Sequence, residues 1–132
     1  MGYLVDTGIL IELEHKNKRL VDKLNRLVED FAQLNITLFN FAEFYYGYMS
    51  KKPEDKKEAE NFLDIFNYLT LTKASAKRYS ELDYKYSKQG IGFEPFDLLM
   101  AAIAIEEKLT LLTTDTDFER IAELKKEIIS AS

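Results

Sequence analysis

Short apolar runs alternate along the chain with longer stretches whose apolar residues recur at helical spacing. The runs are Tyr3-Leu4-Val5, Ile36-Thr37-Leu38, Leu69-Thr70-Leu71 and Leu109-Thr110-Leu111-Leu112, each of strand length. Among the longer stretches, Leu20, Val21, Leu24, Leu27, Val28 and Phe31 fall on one stripe of a 3.6-residue period. Pro53 suits the opening turn of a further helix, in which Ala59, Phe62, Leu63 and Phe66 share a face. Tyr79, Leu82 and Tyr86 do the same in a helix that Gly90 ends. From Leu98 to Ile105 there is no polar face at all, which assigns that helix to the centre of the fold, with its small alanines close against a sheet. Strands alternating with helices predict an α/β fold with a mostly parallel sheet.

Length and composition narrow this further. The 132 residues suit one domain, 1–132, because the nearest thing to a linker, the charged stretch from Ser50 to Lys57, is short enough to be a helix–helix connection. Hydrophobic residues make up 46%, with only 5 Gly and 2 Pro, which excludes disordered and low-complexity classes. The absence of cysteine removes disulfide frameworks, thiolate zinc sites and cysteine nucleophiles together. The Met1-Gly2-Tyr3 start has no basic region followed by a long apolar run, and no window approaches the roughly 18 apolar residues of a membrane span. A cytoplasmic protein, neither exported nor embedded in a membrane, is expected. The net charge of −5 argues at face value against nucleic-acid binding. If five acids are gathered in a metal site, however, the remaining acids balance the 18 bases, so net charge does not decide.

Where the acids fall is more informative. Asp6 follows Tyr3-Leu4-Val5, at the carboxyl end of the first strand, and Asp115 and Asp117 stand in the same relation to Leu109–Leu112. In an open parallel sheet those ends form the usual ligand crevice. Glu43, three residues after Asn40, and Asp97, two after Pro95, add carboxylates from expected helix starts. Each has a structural alternative: Asn40 with Glu43 has capping-box spacing, Asp97 suits a helix dipole, and Asp115 or Asp117 could cap a short helix. Asp6 is harder to explain structurally, because an acid between Tyr3-Leu4-Val5 and Ile9-Leu10-Ile11 is costly to bury without a partner.

Carboxylates forced together raise one another's pKa unless a cation neutralises them, and with no histidine or cysteine among them the natural tenant is Mg²⁺ or Mn²⁺ rather than zinc. Such a site can activate water against a phosphodiester, the chemistry of nucleases and of phosphatases. His15, the only histidine, sits in the charged stretch Glu12–Lys16 and reads as solvated. No phosphate-binding glycine loop is present, and Gly90-Ile91-Gly92 is too short a signal for one.

Four blocks now combine. Tyr3-Leu4-Val5-Asp6-Thr7-Gly8-Ile9-Leu10-Ile11, Asn40-Phe41-Ala42-Glu43-Phe44-Tyr45-Tyr46-Gly47, Pro95-Phe96-Asp97-Leu98-Leu99-Met100-Ala101-Ala102 and Leu111-Leu112-Thr113-Thr114-Asp115-Thr116-Asp117-Phe118 resemble, in order and spacing, the motifs of PIN-domain ribonucleases. The likeness is greatest to the VapC-type toxins of prokaryotic toxin–antitoxin pairs. The resemblance implies a three-layer α/β/α sandwich. It also implies an Mg²⁺- or Mn²⁺-dependent site in which Asp6 and Asp97 ligate metal directly. Glu43, Asp115 and Asp117 would bind it partly through water or activate the attacking water. Thr7 and Thr114 match positions that support the carboxylates. Gly8 stands where many relatives have Asn, giving up a polar contact, and Asp115 stands where many have Asn, adding negative charge.

The same resemblance implies an RNA substrate, a cognate antitoxin filling a groove beside the site, and a homodimer. Candidate RNA contacts are Lys16, Lys18, Arg19, Lys51, Lys52, Lys56 and Lys57, with ordinary solvated helix charges as the alternative. Tyr45, Tyr46 and Tyr48 are candidates for a partner groove or for base stacking, with core or dimer packing as their alternative. Three rival readings are an RNA-processing nuclease of the same family without an antitoxin, a catalytically silent adaptor, and a receiver-like signalling domain. The last would want a lysine after a late strand, where this chain has Asp115.

Overall fold

In the computed structural model, which describes residues 2–130, five parallel strands form one sheet in the order β3-β2-β1-β4-β5. Met1, and the ends of the expected 1–132 domain at Ala131 and Ser132, lie outside the described residues. In chain order the elements are β1 (Tyr3–Val5), α1 (Thr7–Glu14), α2 (Lys18–Leu27), β2 (Leu34–Thr37), α3 (Leu38–Tyr46), α4 (Pro53–Leu63), β3 (Asn67–Leu69), α5 (Lys73–Lys88), α6 (Pro95–Glu106), β4 (Thr110–Thr113) and β5 (Lys126–Ile128). Short 3-10 turns occupy Phe31–Gln33 and Thr116–Arg120.

Successive strand residues point to opposite faces, and each face meets its own core. Val5 and Leu112 join Ile9, Leu10, Leu20, Leu24, Phe44 and Leu63 from α1 to α4. Leu4 and Leu111, one residue earlier on the same strands, join Leu82, Tyr86 and the buried run of α6. The result is an α/β sandwich, with the sheet wholly parallel where a mostly parallel one was expected. Leu98, Met100, Ala101, Ala102, Ile103 and Ala104 are all buried, as the missing polar face of that helix requires. Among the described residues no helix is long and apolar enough to cross a membrane.

Several boundaries differ from the sequence expectation, for local reasons. Strand β2 stops at Thr37, because that residue caps α3 and makes Leu38 its first helical position. Strand β3 begins at Asn67, and Thr70 and Leu71 leave the sheet on the way to the cap at Thr72. Strand β4 is displaced by one residue, to Thr110–Thr113. Phe31 lies in a 3-10 turn beyond α2 and Phe66 beyond the end of α4, yet both pack on the core their helices serve. Strand β5 was not anticipated: Lys126-Glu127-Ile128 carries no apolar run, and pairing with β4 alone makes it a strand. Gly90 does close α5, at a φ of +77° that favours glycine.

Candidate functional site

The chain runs outward from β1 in both directions, to β2 and β3 on one side and to β4 and β5 on the other, so strand order reverses between β1 and β4. The crevice at the carboxyl ends of those two strands is where such a sheet places its ligand. Asp6 and Asp115 stand at its two sides, directly after β1 and two residues after β4. The Asp6 N–H is held by Leu112 carbonyl oxygen at 2.9 Å, so the two strand ends are stitched together beneath the site.

One hydroxyl organises both acids. Thr113 Oγ1 donates to Asp6 Oδ2 at 2.7 Å and accepts from the Asp115 N–H at 3.0 Å. The side chain of the neighbouring Thr114 lies against Gly8: a Cβ built on Gly8 would come within 2.6 Å of Thr114 Oγ1. Asp6 also caps α1, its Oδ1 accepting from the Thr7 N–H at 2.7 Å. The Thr7 hydroxyl donates to Glu43 Oε1 at 2.8 Å.

Glu43 sits in the middle of α3 rather than at its start, and the structural alternative for it, a cap formed with Asn40, is not the one α3 uses. The reciprocal cap is Thr37 with Asn40, which leaves Glu43 one turn further on, free to face α1. Asp97 occupies the first turn of α6 after Pro95, as read from the sequence. The sequence reading missed Glu94, which caps this helix with Oε2 accepting from the Phe96 N–H at 2.8 Å and the Asp97 N–H at 3.4 Å. Its signal was available, an acid immediately before Pro95 at a helix start.

Electrostatics show that these acids share one space. Burial, first, and then the charges of Asp6, Glu94, Asp115 and Glu43 push the Asp97 carboxyl from the ordinary 3.8 up to about 7. Asp6 is also raised, chiefly by burial and further by Glu43 and Asp115, against the lowering effect of the Thr113 hydroxyl and the Thr7 N–H. Asp117 stands apart: its N–H donates to Asp115 Oδ1 at 2.9 Å, while its own carboxylate is 66% exposed and 3.9 Å from Arg120.

The donor set is carboxylate oxygen throughout and strongly anionic, which fits a hard divalent cation such as Mg²⁺ or Mn²⁺ and not zinc. Among the described residues no three acidic side chains stand in a ready coordinating arrangement. Asp6, Asp97 and Asp115, whose charges act on one another, are the residues that could hold such an ion.

Beside the site, between α1, α3 and α4, runs a cleft of about 470 Å³ whose lining includes Ile11, Glu14, Glu43, Tyr48, Lys51 and Asp55. Of the expected RNA-contacting bases, Lys51 therefore lies along the same cleft as Glu43. Lys18 is engaged with Asp22 at 3.0 Å, and Lys16, Arg19 and Lys52 are exposed. The three tyrosines divide: Tyr45 stacks on Phe41, Tyr48 donates to Glu14 Oε1 at 2.8 Å, and Tyr46 is 78% exposed.

An open parallel sheet with four carboxylates gathered where its strand order reverses defines an α/β protein with an acidic crevice. The chain belongs to the PIN-domain family, whose model matches residues 3–124. It is 30% identical over 129 residues to ribonuclease VapC2 of Rickettsia felis, covering 94% of this chain and 95% of that protein. It is 27% identical over 130 residues to ribonuclease VapC2 of Haemophilus influenzae, covering 96% and 97%. The solved structure of VapBC2 from Rickettsia felis bound to a promoter DNA fragment superposes with a TM-score of 0.83 at 28% identity, over 97% of this chain and 98% of that one.

Proposed function

We propose that this protein is a divalent-cation-dependent endoribonuclease, the toxin of a toxin–antitoxin pair. The observation that carries the reading is the convergence of Asp6, Glu43, Asp97 and Asp115 on one crevice, where burial first and the neighbouring charges second hold a proton on Asp97 up to about pH 7. A catalytically silent fold has no use for so repulsive a group of acids. The names of its relatives support the substrate class and the paired partner. When bound, Mg²⁺ or Mn²⁺ would neutralise the carboxylates and supply Lewis acidity toward a phosphodiester oxygen.

The chain's own groups do the rest. Asp6 and Asp97 would hold the cation, Asp115 would complete the anionic wall, and Asp117 would contribute from the rim. Glu43, oriented by the Thr7 hydroxyl, takes the proton of the attacking water. The Thr113 hydroxyl fixes Asp6 and Asp115 relative to each other. Lys51, on the same cleft as Glu43, offers a phosphate contact, and Lys16, Lys18, Arg19 and Lys52 are further candidates. The antitoxin takes the cleft beside the site, and the protein is a single-domain, cytoplasmic homodimer, a state favoured by the exposed Leu38 and Phe96 beside the stacked Phe39.

The test is cleavage of total cellular RNA by purified, antitoxin-free protein with Mg²⁺, with Mn²⁺ and with chelator, beside Asp6→Asn and Asp97→Asn. Discrete cation-dependent products that vanish in both folded variants are expected. Absence of cleavage by well-folded wild type with either cation, across a range of RNAs, would put the silent-adaptor reading in its place.

A further inference from the structure

Asn40 does more than cap a helix. Its Oδ1 accepts from the Thr37 N–H and from the Thr37 hydroxyl, both at 2.8 Å, while its own N–H donates to Thr37 Oγ1 at 3.2 Å. Those bonds are the whole of its capping role. With Oδ1 committed to two donors, the nitrogen end of the amide has to face the other way. There Nδ2 donates to Thr7 Oγ1 at 3.1 Å and meets Met100 Sδ at 3.5 Å. The Thr7 hydroxyl has a single proton. As it accepts from Asn40, that proton is directed to Glu43 Oε1, at 2.8 Å.

Among the described residues the other reciprocal caps, Asp30 with Gln33 and Thr72 with Ser75, serve only their local turns. Asn40 alone among them sends a second set of donors out of its own turn, and it does so while 1% exposed. The amide therefore sits where α1, α3 and α6 meet, the elements that follow or carry Asp6, Glu43 and Asp97. Glu43 itself is exposed, and a solvent-facing glutamate samples many rotamers unless a charge-assisted hydrogen bond holds it.

We infer that Asn40 is a positioning residue for Glu43, acting through the Thr7 hydroxyl. This rests on the ribonuclease reading of the site for its catalytic consequence, but the hydrogen-bond relay can be tested without it. Asn40→Asp keeps an oxygen for the Thr37 cap and removes the Nδ2 donor. Thr7→Val removes the relay hydroxyl and leaves the cap untouched, while Thr7→Ser keeps the hydroxyl. Ser75→Ala breaks the comparable cap of α5, which makes no bond to the site.

On RNA with saturating Mg²⁺, Asn40→Asp and Thr7→Val are each expected to lower kcat by about tenfold to a hundredfold, with KM little changed. The double variant should be no worse than the poorer single one, and Thr7→Ser should restore most of the rate. Ser75→Ala should lower the melting temperature and leave kcat alone. In the ¹H–¹⁵N spectrum of the cation-free protein, the Asn40 side-chain amide resonances should move on Glu43→Gln as well as on Thr7→Val. Wild-type kcat in folded Asn40→Asp, multiplicative losses in the double variant, or an Asn40 amide indifferent to Glu43→Gln would each overturn the inference. If the wild type cleaves no RNA, the ribonuclease reading fails, and the amide resonances decide the relay by themselves.

Discussion

Replacing Asp97 by asparagine removes a carboxyl that burial and the neighbouring charges of Asp6, Glu94, Asp115 and Glu43 raise to about 7. The folded protein keeps that proton to a higher pH than the unfolded chain does, so between about pH 4 and pH 7 the folded state binds more protons and stability falls as pH rises. The contribution is intact below the unfolded value and lost once pH passes the folded one. At 1.36 kcal/mol for each pH unit, the span from 3.8 to about 7 sets a ceiling of about 4 kcal/mol. Asp97 is only half-buried, and solvent screening brings the expected loss to about 1–2 kcal/mol. Urea unfolding in the presence of EDTA at pH 5, 6, 7 and 8 measures it. The wild type should lose that much more stability than Asp97→Asn across the series and be the less stable of the two at pH 8. Asp6, raised in the same direction, leaves a smaller slope in the variant. Adding Mg²⁺ at pH 8 should then stabilise the wild type and do much less for Asp97→Asn. Stability curves that run parallel from pH 5 to 8 would show that Asp97 does not carry the strain ascribed to it.

Other perturbations separate the site from its scaffold. Thr113→Val removes the hydroxyl shared by Asp6 and Asp115 and should cost about 1–3 kcal/mol in a denaturant titration, together with much of the RNA-cleaving activity. Ala102→Leu, on the wholly buried side of α6, should destabilise by about 1–3 kcal/mol through overpacking against the sheet, which calorimetry would show as a lowered Tm. Tyr86→Phe removes a hydroxyl that donates to Glu123 Oε1 at 2.6 Å and accepts from the Ala122 N–H at 3.0 Å. It should cost about 1–2 kcal/mol with cleavage per folded molecule unchanged, since this bond anchors the turn before β5 and not the acids.

The sequence alone carried the layer pattern and the chain order of the acids, because both are written in local spacing. Runs of two or three apolar residues marked β1 to β4, the polar-free helix marked the centre, and Asp6 and Asp115 could be placed at strand ends by counting. The PIN-type motifs extended that reading across nearly the whole chain, and the family match over residues 3–124 agrees with it. What spacing could not carry was anything set by partners distant in sequence. Lys126-Glu127-Ile128 becomes a strand only because β4 offers it an open edge. Thr113 and Thr114 are neighbours of the same type, and only the register of β4 against β1 decides which hydroxyl meets Asp6 and which lies against Gly8. Asn40 and Glu43 looked like one cap because their spacing allows it. The cap one turn earlier, at Thr37, wins because its hydroxyl and the Asn40 amide satisfy each other's buried groups, releasing Glu43 to the site. Charge order along a chain is local information; which acids come to repel one another depends on how the sheet and helices close around them, and only the tertiary structure decides that.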